Sequence, residues 1–339
     1  MNRSDRRRKH VAIIGAGVAG LAAAAKLESA EVSVTLFDKG RSVGGRVSTR
    51  RHEPFAFDHG AQYFTCRGAE LRSRVQAAAE IGAVRRWDGR LAAICEKGVR
   101  PFTEDSAERF VGVPRMSSFA RFLAAGLDVR TGTRVTQIER MSSGWRLRDA
   151  SGGLGEFDGL VVTAPTPQAR ELIEDRSPIG QQLEAFQMLP CWAVMLGLSA
   201  PFDFGFDAAF CRSSELSWIA RDSSKPKRGD RDCWVLHASP EWSSANLGLD
   251  RTQVIEELIA TVERITSTKL PEIEHRDAHL WRFARPAEDS TEGCLVDSEA
   301  ELVVAGDAFL GGRVEGAYRS GVQAAKALLS GWTSVRSSA

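Results

Sequence analysis

The sequence predicts an α/β fold in which a parallel sheet is assembled from both ends of the chain, with a second, mostly antiparallel α+β part inserted between. Three observations predict it. The glycine-rich turn Gly15-Ala16-Gly17-Val18-Ala19-Gly20 joins a short apolar run, Val11 to Ile14, to a helix-like stretch. Strand-like runs crowd the span from Cys191 to Phe283. A strand, a glycine-containing turn and an amphipathic helix then return between Glu301 and Leu329.

Taken in order, Val11 to Ile14 reads as a strand, Val18 to Ser29 as a helix and Val32 to Phe37 as a strand, which together make a β-α-β unit. Ala69 to Ala83 and Met116 to Leu127 read as helices. Val129 to Glu139, Trp145 to Arg148 and Glu156 to Thr163 read as strands of a meander joined by Gly and Ser turns. Cys191 to Ser199, Leu216 to Arg221, Cys233 to Ser239 and Ile273 to Phe283 read as strands of the second sheet, with a helix at Thr252 to Ile265. Glu301 to Ala305 and Arg313 to Leu329 close the first part. Two linker-like stretches stand out. Ala164 to Pro167 reads as a Pro-rich turn, and Ser223 to Asp232 as a solvated hairpin tip on which Lys225, Lys227 and Arg228 do not pack.

With 339 residues, 43% of them hydrophobic and 26% charged, the chain has the balance of a folded globular enzyme. A net charge of +1 supplies no global field for nucleic acid or an anionic membrane, and neither is expected as a partner. The basic start, Arg3 to Lys9, followed by an apolar run, imitates a secretory signal. Glycines interrupt that run, and at about 15 residues it falls short of the ~20 needed to span a bilayer. The six cysteines, at 66, 95, 191, 211, 233 and 294, have neither metal-site nor disulfide spacing, so a cytoplasmic protein with reduced thiols is expected.

The glycine turn carries chemistry because of its setting. In G-x-G-x-x-G between strand and helix, Gly15 permits the tight turn, Gly17 lets a pyrophosphate approach the backbone, and Gly20 lets helix and strand pack closely. Asp38, at the end of the second strand, can accept hydrogen bonds from a ribose diol and would repel a 2′-phosphate. These features leave FAD and NAD equal. Arg41-Ser42-Val43-Gly44-Gly45-Arg46 decides for FAD, because it places two glycines and two guanidinium groups where a longer cofactor reaches. At the other end, Gly306-Asp307 sits where a strand meets a turn. Gly311-Gly312 precedes a helix whose free N–H groups can stabilise negative charge.

In this order the segments G-A-G-V-A-G, D-K, S-V-G-G-R and Asp58-His59-Gly60-Ala61-Gln62-Tyr63-Phe64-Thr65 resemble the amine-oxidase-type flavoproteins, and D-x-G-A-Q-Y resembles their renalase-like branch. W-V-L-H-A-S-P-E-W-S (234–243), H-L-W-R-F-A-R-P (279–286) and the 306–321 segment extend the resemblance over nearly the whole chain. It implies a Rossmann-type FAD-binding domain with a parallel central sheet, like that of p-hydroxybenzoate hydroxylase, and an antiparallel α+β substrate domain. The implied division is 10–66, 110–165 and 299–333 for FAD, 67–109 and 166–298 for substrate, and flexible tails at 1–9 and 334–339.

Residue by residue, the resemblance implies FAD contacts at Ala19, Asp38, Lys39, Gly45, Arg46, Ala61, Gln62, Val135, Asp307 and Val314, beside Gly15, Gly17, Gly20, Gly60 and Gly306. Relatives with covalent flavin use a cysteine near the last motif. Leu295 to Ala339 contains none, so non-covalent FAD is expected. A lysine near flavin N5 marks ordinary amine oxidases, and none of Lys225, Lys227 and Lys269 has a suitable setting by sequence.

The resemblance further implies oxidation of the 1,2- and 1,6-dihydro isomers of NAD(P)H to NAD(P)+ by hydride transfer to flavin N5, with O2 reoxidising the flavin to give H2O2. That chemistry creates an aromatic cation and requires no strong base, only an aromatic slot and a few orienting polar groups. Trp281 is expected to stack on the ring, and His237 and Tyr63 to orient its polar edge, with Gln62 beside the flavin. Each has a plainer reading as a core residue. Arg282 and Arg285 are either surface residues or phosphate contacts. Amine oxidation, desaturation and a non-catalytic flavin-binding redox sensor remain as alternatives.

Overall fold

In a computed structural model, the described residues are 8–96, 98–103, 107–212 and 214–337. Most of the basic tail expected at 1–9, up to residue 7, and the last two residues lie outside them. The chain forms two units. The first comprises 1–45, 120–188 and 285–339, and the second 46–119 and 189–284.

In the first unit a six-stranded sheet runs in the order Cys294–Asp297, Leu302–Ala305, Gly159–Val162, His10–Ile14, Ser33–Asp38, Asp128–Thr131. All neighbours are parallel except the antiparallel edge strand Cys294–Asp297. Ile13 lies between Leu36 and Val161, and Val161 beside Val303. These strands are near-continuous Val, Ile and Leu because helices and loops cover both of their faces. Helix Val18–Glu28 packs against the closing helix Val314–Ser337. A Cβ on Gly321 would sit 2.0 Å from the Ala19 carbonyl, so only glycine permits this crossing. The closing helix runs through Ser337, whereas a tail was expected from 334.

Two expected strands prove to be two each. Val129 to Glu139 divides at Gly132, which has φ +69°. Asp128–Thr131 stays in the parallel sheet, while Gln137–Met141 opens a three-stranded meander with Gly144–Asp149 and Gly152–Phe157. Backbone bonds from Gly132 N to Gly40 O (2.8 Å) and Thr133 N to Asp38 O (2.9 Å) hold the break. Glu156 to Thr163 divides at Asp158, which leaves the meander to bond His10 through its backbone N–H and its carboxylate. The expected Pro-rich turn at 164–167 leads into helix Thr166–Ile173, where Ala169 and Ile173 join Ile179 and Leu183 in the first unit's core. Residues 166–188 therefore cluster with the first unit, not with the substrate part.

The second unit is built on a seven-stranded sheet in the order Ile273–Pro286, Met188–Leu198, Asp232–Ala238, Leu216–Arg221, Ala208–Cys211, Leu91–Cys95, Gly98–Pro101. Helix Arg251–Thr266 starts at a capping box formed by Asp250 and Gln253. It buries Val254, Ile255, Leu258 and Val262 against Trp192, Leu196 and Trp234. Residues 46–66, expected with the nucleotide domain, cluster here because Asp58 and His59 are anchored to Asp222, His237 and Trp281. Among the described residues, no helix is long and apolar enough to cross a membrane.

Candidate functional site

The nucleotide cradle of the first unit is shaped by what its glycines exclude. Gly15 takes φ +110°, and a Cβ on it would meet Thr163 Oγ1 at 2.6 Å. A Cβ on Gly20 would lie 1.9 Å from Gly15 O. Thr163 Oγ1 donates in a shared bond to Ile14 O (3.1 Å) and Gly15 O (3.0 Å), a lock that sequence reasoning missed because its partner lies about 150 positions earlier. A Cβ on Gly17, in contrast, would meet nothing within 4 Å. Gly17 caps the helix without a side-chain bond, and no acidic residue stands in the first turn to compete for its N–H groups.

Asp38 is held from both sides: Ala16 N donates to Oδ2 at 2.6 Å and Gly40 N to Oδ1 at 2.7 Å. Each oxygen keeps a lone pair for a ribose hydroxyl. Gly44 N donates to Ala16 O at 2.8 Å, and Gly45, at φ +54°, lies against Gly17, so both glycine segments meet. Lys39 Nζ donates to Gln168 at 2.9 Å. Val135 packs into the core with Ile14 and Phe37. Gly306 N donates to Ser320 Oγ at 2.8 Å, and a Cβ there would meet open space. Asp307 is buried and Val314 is half-buried at the start of the closing helix. An open, anion-attracting helix end beside a fixed carboxylate fits the nucleotide part of FAD.

In the second unit the loop 58–63 is pinned at three points. A Cβ on Gly60 would fall 2.0 Å from Arg46 O, and Ala61 N donates to the same carbonyl at 2.9 Å. Arg46 itself donates to Ala284 O at 3.1 Å. The His59 carbonyl accepts from both His237 Nε2 (3.1 Å) and Trp281 Nε1 (2.9 Å), so one backbone oxygen joins two of the expected site residues. Trp281 therefore offers a ring face and no free N–H. The His59 ring lies 4.9 Å from the indole, and His279 stands 4.5 Å from it, edge-on. Tyr63 lies apart from this group, 5.7 Å from Trp218 and 6.1 Å from Trp87, with Arg109 over its ring. Arg282 and Arg285 are exposed.

Burial holds the imidazoles neutral. It pushes His59 down to about 3, helped by His279 and Arg50. His237 falls to about 4, again through burial. His279 falls to about 4 through burial and the nearby Arg50 and Arg251.

The third anchor corrects the sequence reading of Ser223 to Asp232. Lys225 and Arg228 are buried, not solvated, because they neutralise the buried carboxylates of Asp58 and Asp222. Lys225 Nζ contacts Asp222 Oδ1, Asp58 Oδ2 (3.5 Å) and Gln62 Oε1 (3.3 Å). Arg228 contacts Asp58 Oδ2 and donates to Gly112 O at 3.0 Å. Gln62 in turn donates from Nε2 to the Asp58 and Gly60 carbonyls, which fixes its amide. Burial raises the Asp58 carboxyl, yet Lys225, Arg228, Thr49 and the Met116 N–H outweigh it and hold the group below the usual range. For Asp222, burial and the Asp58 charge prevail and push the carboxyl up. The local composition of Ser223 to Asp232 describes a solvated tip, and no local signal points to these distant partners.

Two family matches cover most of the chain: an NAD(P)-binding Rossmann-like domain at 13–76 and flavin containing amine oxidoreductase at 102–329. Renalase from Mus musculus is 25% identical over 345 aligned positions, spanning 94% of this chain and 98% of that protein. A 4,4'-diapophytoene desaturase of Staphylococcus aureus matches at 50% identity over 50 residues, 10% of its length. Among solved structures, a candidate protoporphyrinogen oxidase from Exiguobacterium sp. 255-15 superposes with TM-score 0.76 at 15% identity, covering 94% of this chain and 98% of that one. Cyclohexylamine oxidase from Brevibacterium oxydans IH-35A gives 0.72 at 13%, covering 96% and 99%. These likenesses share the fold. The chain belongs to the flavin containing amine oxidoreductase family and is a renalase-like, FAD-dependent oxidoreductase.

Proposed function

We propose that this enzyme oxidises the 1,2- and 1,6-dihydro isomers of NAD(P)H to NAD(P)+. The observation that carries the reading is the uncharged aromatic group around Trp281, in which His59, His237 and His279 are all held neutral. Loss of hydride from a dihydropyridine yields an aromatic cation and moves no proton, so neutral orienting groups suffice. An amine substrate arrives mostly as an ammonium ion and must shed a proton. Imidazoles that titrate at about 3 to 4 are poor acceptors for it.

In this reading Trp281 supplies the stacking face and His237, bonded to the His59 carbonyl, holds the loop beside it, whereas Tyr63, expected at the ring's polar edge, lies apart with Trp87 and Trp218. Gln62 is fixed by Lys225 and the loop carbonyls, and with Gly60, Ala61 and Arg46 it serves the flavin end of the cofactor. Gly15, Gly17, Ala19, Gly20, Asp38, Lys39, Gly45 and Val135 serve its nucleotide end, and Gly306, Asp307 and Val314 serve the remainder, without a covalent bond. Bound FAD would supply two-electron oxidation chemistry, with O2 as final acceptor and H2O2 as the product once two protons are taken from solvent. The enzyme is placed in the reducing cytoplasm because its six cysteines have neither disulfide-framework nor metal-site spacing.

Anaerobic stopped-flow mixing tests the assignment. Both isomers are expected to bleach the flavin band within seconds, with simple amines leaving it unchanged. Failure of the two isomers to reduce the flavin overturns the substrate. The same instrument checks the protonation states. With His59 depressed to about 3 and His237 and His279 to about 4, the limiting reduction rate should stay level from about pH 5 to 8, because the histidines lose their protons well below that window. A step with its midpoint between about 6 and 7, the range of an ordinary histidine, contradicts this.

A further inference from the structure

We propose that His59 Nδ1 is the group that recognises the carboxamide of the substrate's nicotinamide ring, an inference that rests on the substrate class proposed above. His59 is 4% exposed, and its Nδ1 is buried without a hydrogen-bond partner. The polar atoms around it are committed elsewhere. Trp281 Nε1 and His237 Nε2 both donate to the His59 carbonyl. His279 Nδ1 faces the Arg50 guanidinium at 3.2 Å. A buried imidazole nitrogen left unpaired is unfavourable, and a ligand that satisfies it recovers the loss.

The ligand chemistry follows from the surroundings. The His59 ring is tilted 32° to the Trp281 indole, with centroids 4.9 Å apart, and meets His279 edge-on at 5.1 Å. The imidazole itself lies over part of the indole, so a flat aromatic ligand that joins this group packs beside the imidazole and brings its substituents to the imidazole edge. A neutral imidazole nitrogen accepts from an amide N–H in one tautomer and donates to an amide C=O in the other, and a carboxamide offers both groups. The uncharged ring also tolerates the cationic pyridinium product. The loop is rigid on either side. Asp58 N donates to buried Asp222 at 3.2 Å, and Gly60 is pressed against Arg46. His59 thus meets the ligand without reordering.

The test uses the FAD-loaded enzyme and product binding, read from the shift of the flavin spectrum. NAD+ is expected to bind wild type about tenfold or more tightly than its analogue with a 3-unsubstituted pyridine. In His59→Leu that preference should collapse to about one, while His59→Gln, which keeps an amide donor and acceptor, retains most of it. Equal binding of NAD+ and the analogue by wild type overturns the proposal without any variant. A preference that survives in His59→Leu overturns it as well. If His59→Leu does not load FAD, the His59→Gln and wild-type comparisons still decide. Failure of the substrate reading looks different: neither dihydro isomer then reduces wild-type flavin, whatever the binding preference.

Discussion

Replacing Lys225 with methionine is expected to cost about 3–5 kcal/mol of unfolding free energy, because it strips one cation from a buried cluster and leaves its carboxylates short of charge. The Lys225 side chain is 0% exposed, as is Asp58, and Asp222 is 1% exposed. Methionine fills a similar volume, so the loss is electrostatic and not a cavity effect. Adding Asp222→Asn in the same protein should recover part of the loss, since Arg228 then faces the Asp58 charge alone. Asp222 is the carboxylate to neutralise because burial and Asp58 already raise its pKa, so its ionised form is the less favoured of the two. The sign for Asp58 is opposite. Its folded-state pKa is depressed, so its contribution is present above the unfolded value of about 3.9 and is lost as the pH falls through the folded value. Urea unfolding of FAD-loaded protein at neutral pH measures both variants. A midpoint unchanged in Lys225→Met, or a double variant weaker than the single one, contradicts the account.

That cluster also marks where sequence reading stops. Within Ser223 to Asp232 every local cue, Pro226, Gly229 and four cations, describes a solvated tip, and the local cues are sound as far as they go. The partner Asp58 stands 167 positions from Lys225, and charge pairing over such a separation leaves no periodicity to read. The divisions at Gly132 and Asp158 were hidden for a related reason: only the distant strands paired on either side show that the chain passes from one sheet to the other there. The β-α-β unit from Val11 to Phe37 was legible because its strands, glycine turn and helix are contiguous and each obeys its own spacing. The closing strand and helix were legible for the same reason. Strands such as Ala208–Cys211 are too short to show a period, and their neighbours in the sheet alone define them. His59 was present in a recognised motif, yet its meaning came from Trp281 and His237, more than 170 positions away.

The glycine turn offers the sharpest separation of cofactor binding from folding. Gly17→Ala and Gly20→Ala each add one methyl group, five residues or fewer from the same tight turn, but into opposite surroundings. At Gly20 the new carbon would lie 1.9 Å from Gly15 O and 2.9 Å from Thr163 Oγ1, so strand and helix must part. The apoprotein should lose about 1–3 kcal/mol, the cost of overpacking. At Gly17 the backbone, with φ −76° and ψ −178°, suits alanine, and the methyl meets open space. Stability of the apoprotein should change by less than about 1 kcal/mol, the scale of an N-cap exchange. In the proposed binding mode the pyrophosphate approaches the helix N–H groups through that space, so FAD affinity should fall about ten- to a hundredfold. Fluorescence titration of apoprotein with FAD, alongside urea unfolding without it, gives both quantities. A Gly17→Ala protein that binds FAD like wild type means that the open space above the helix is not the pyrophosphate site, and the cofactor's nucleotide end must then rest on Asp38 and the Gly44-Gly45 loop instead.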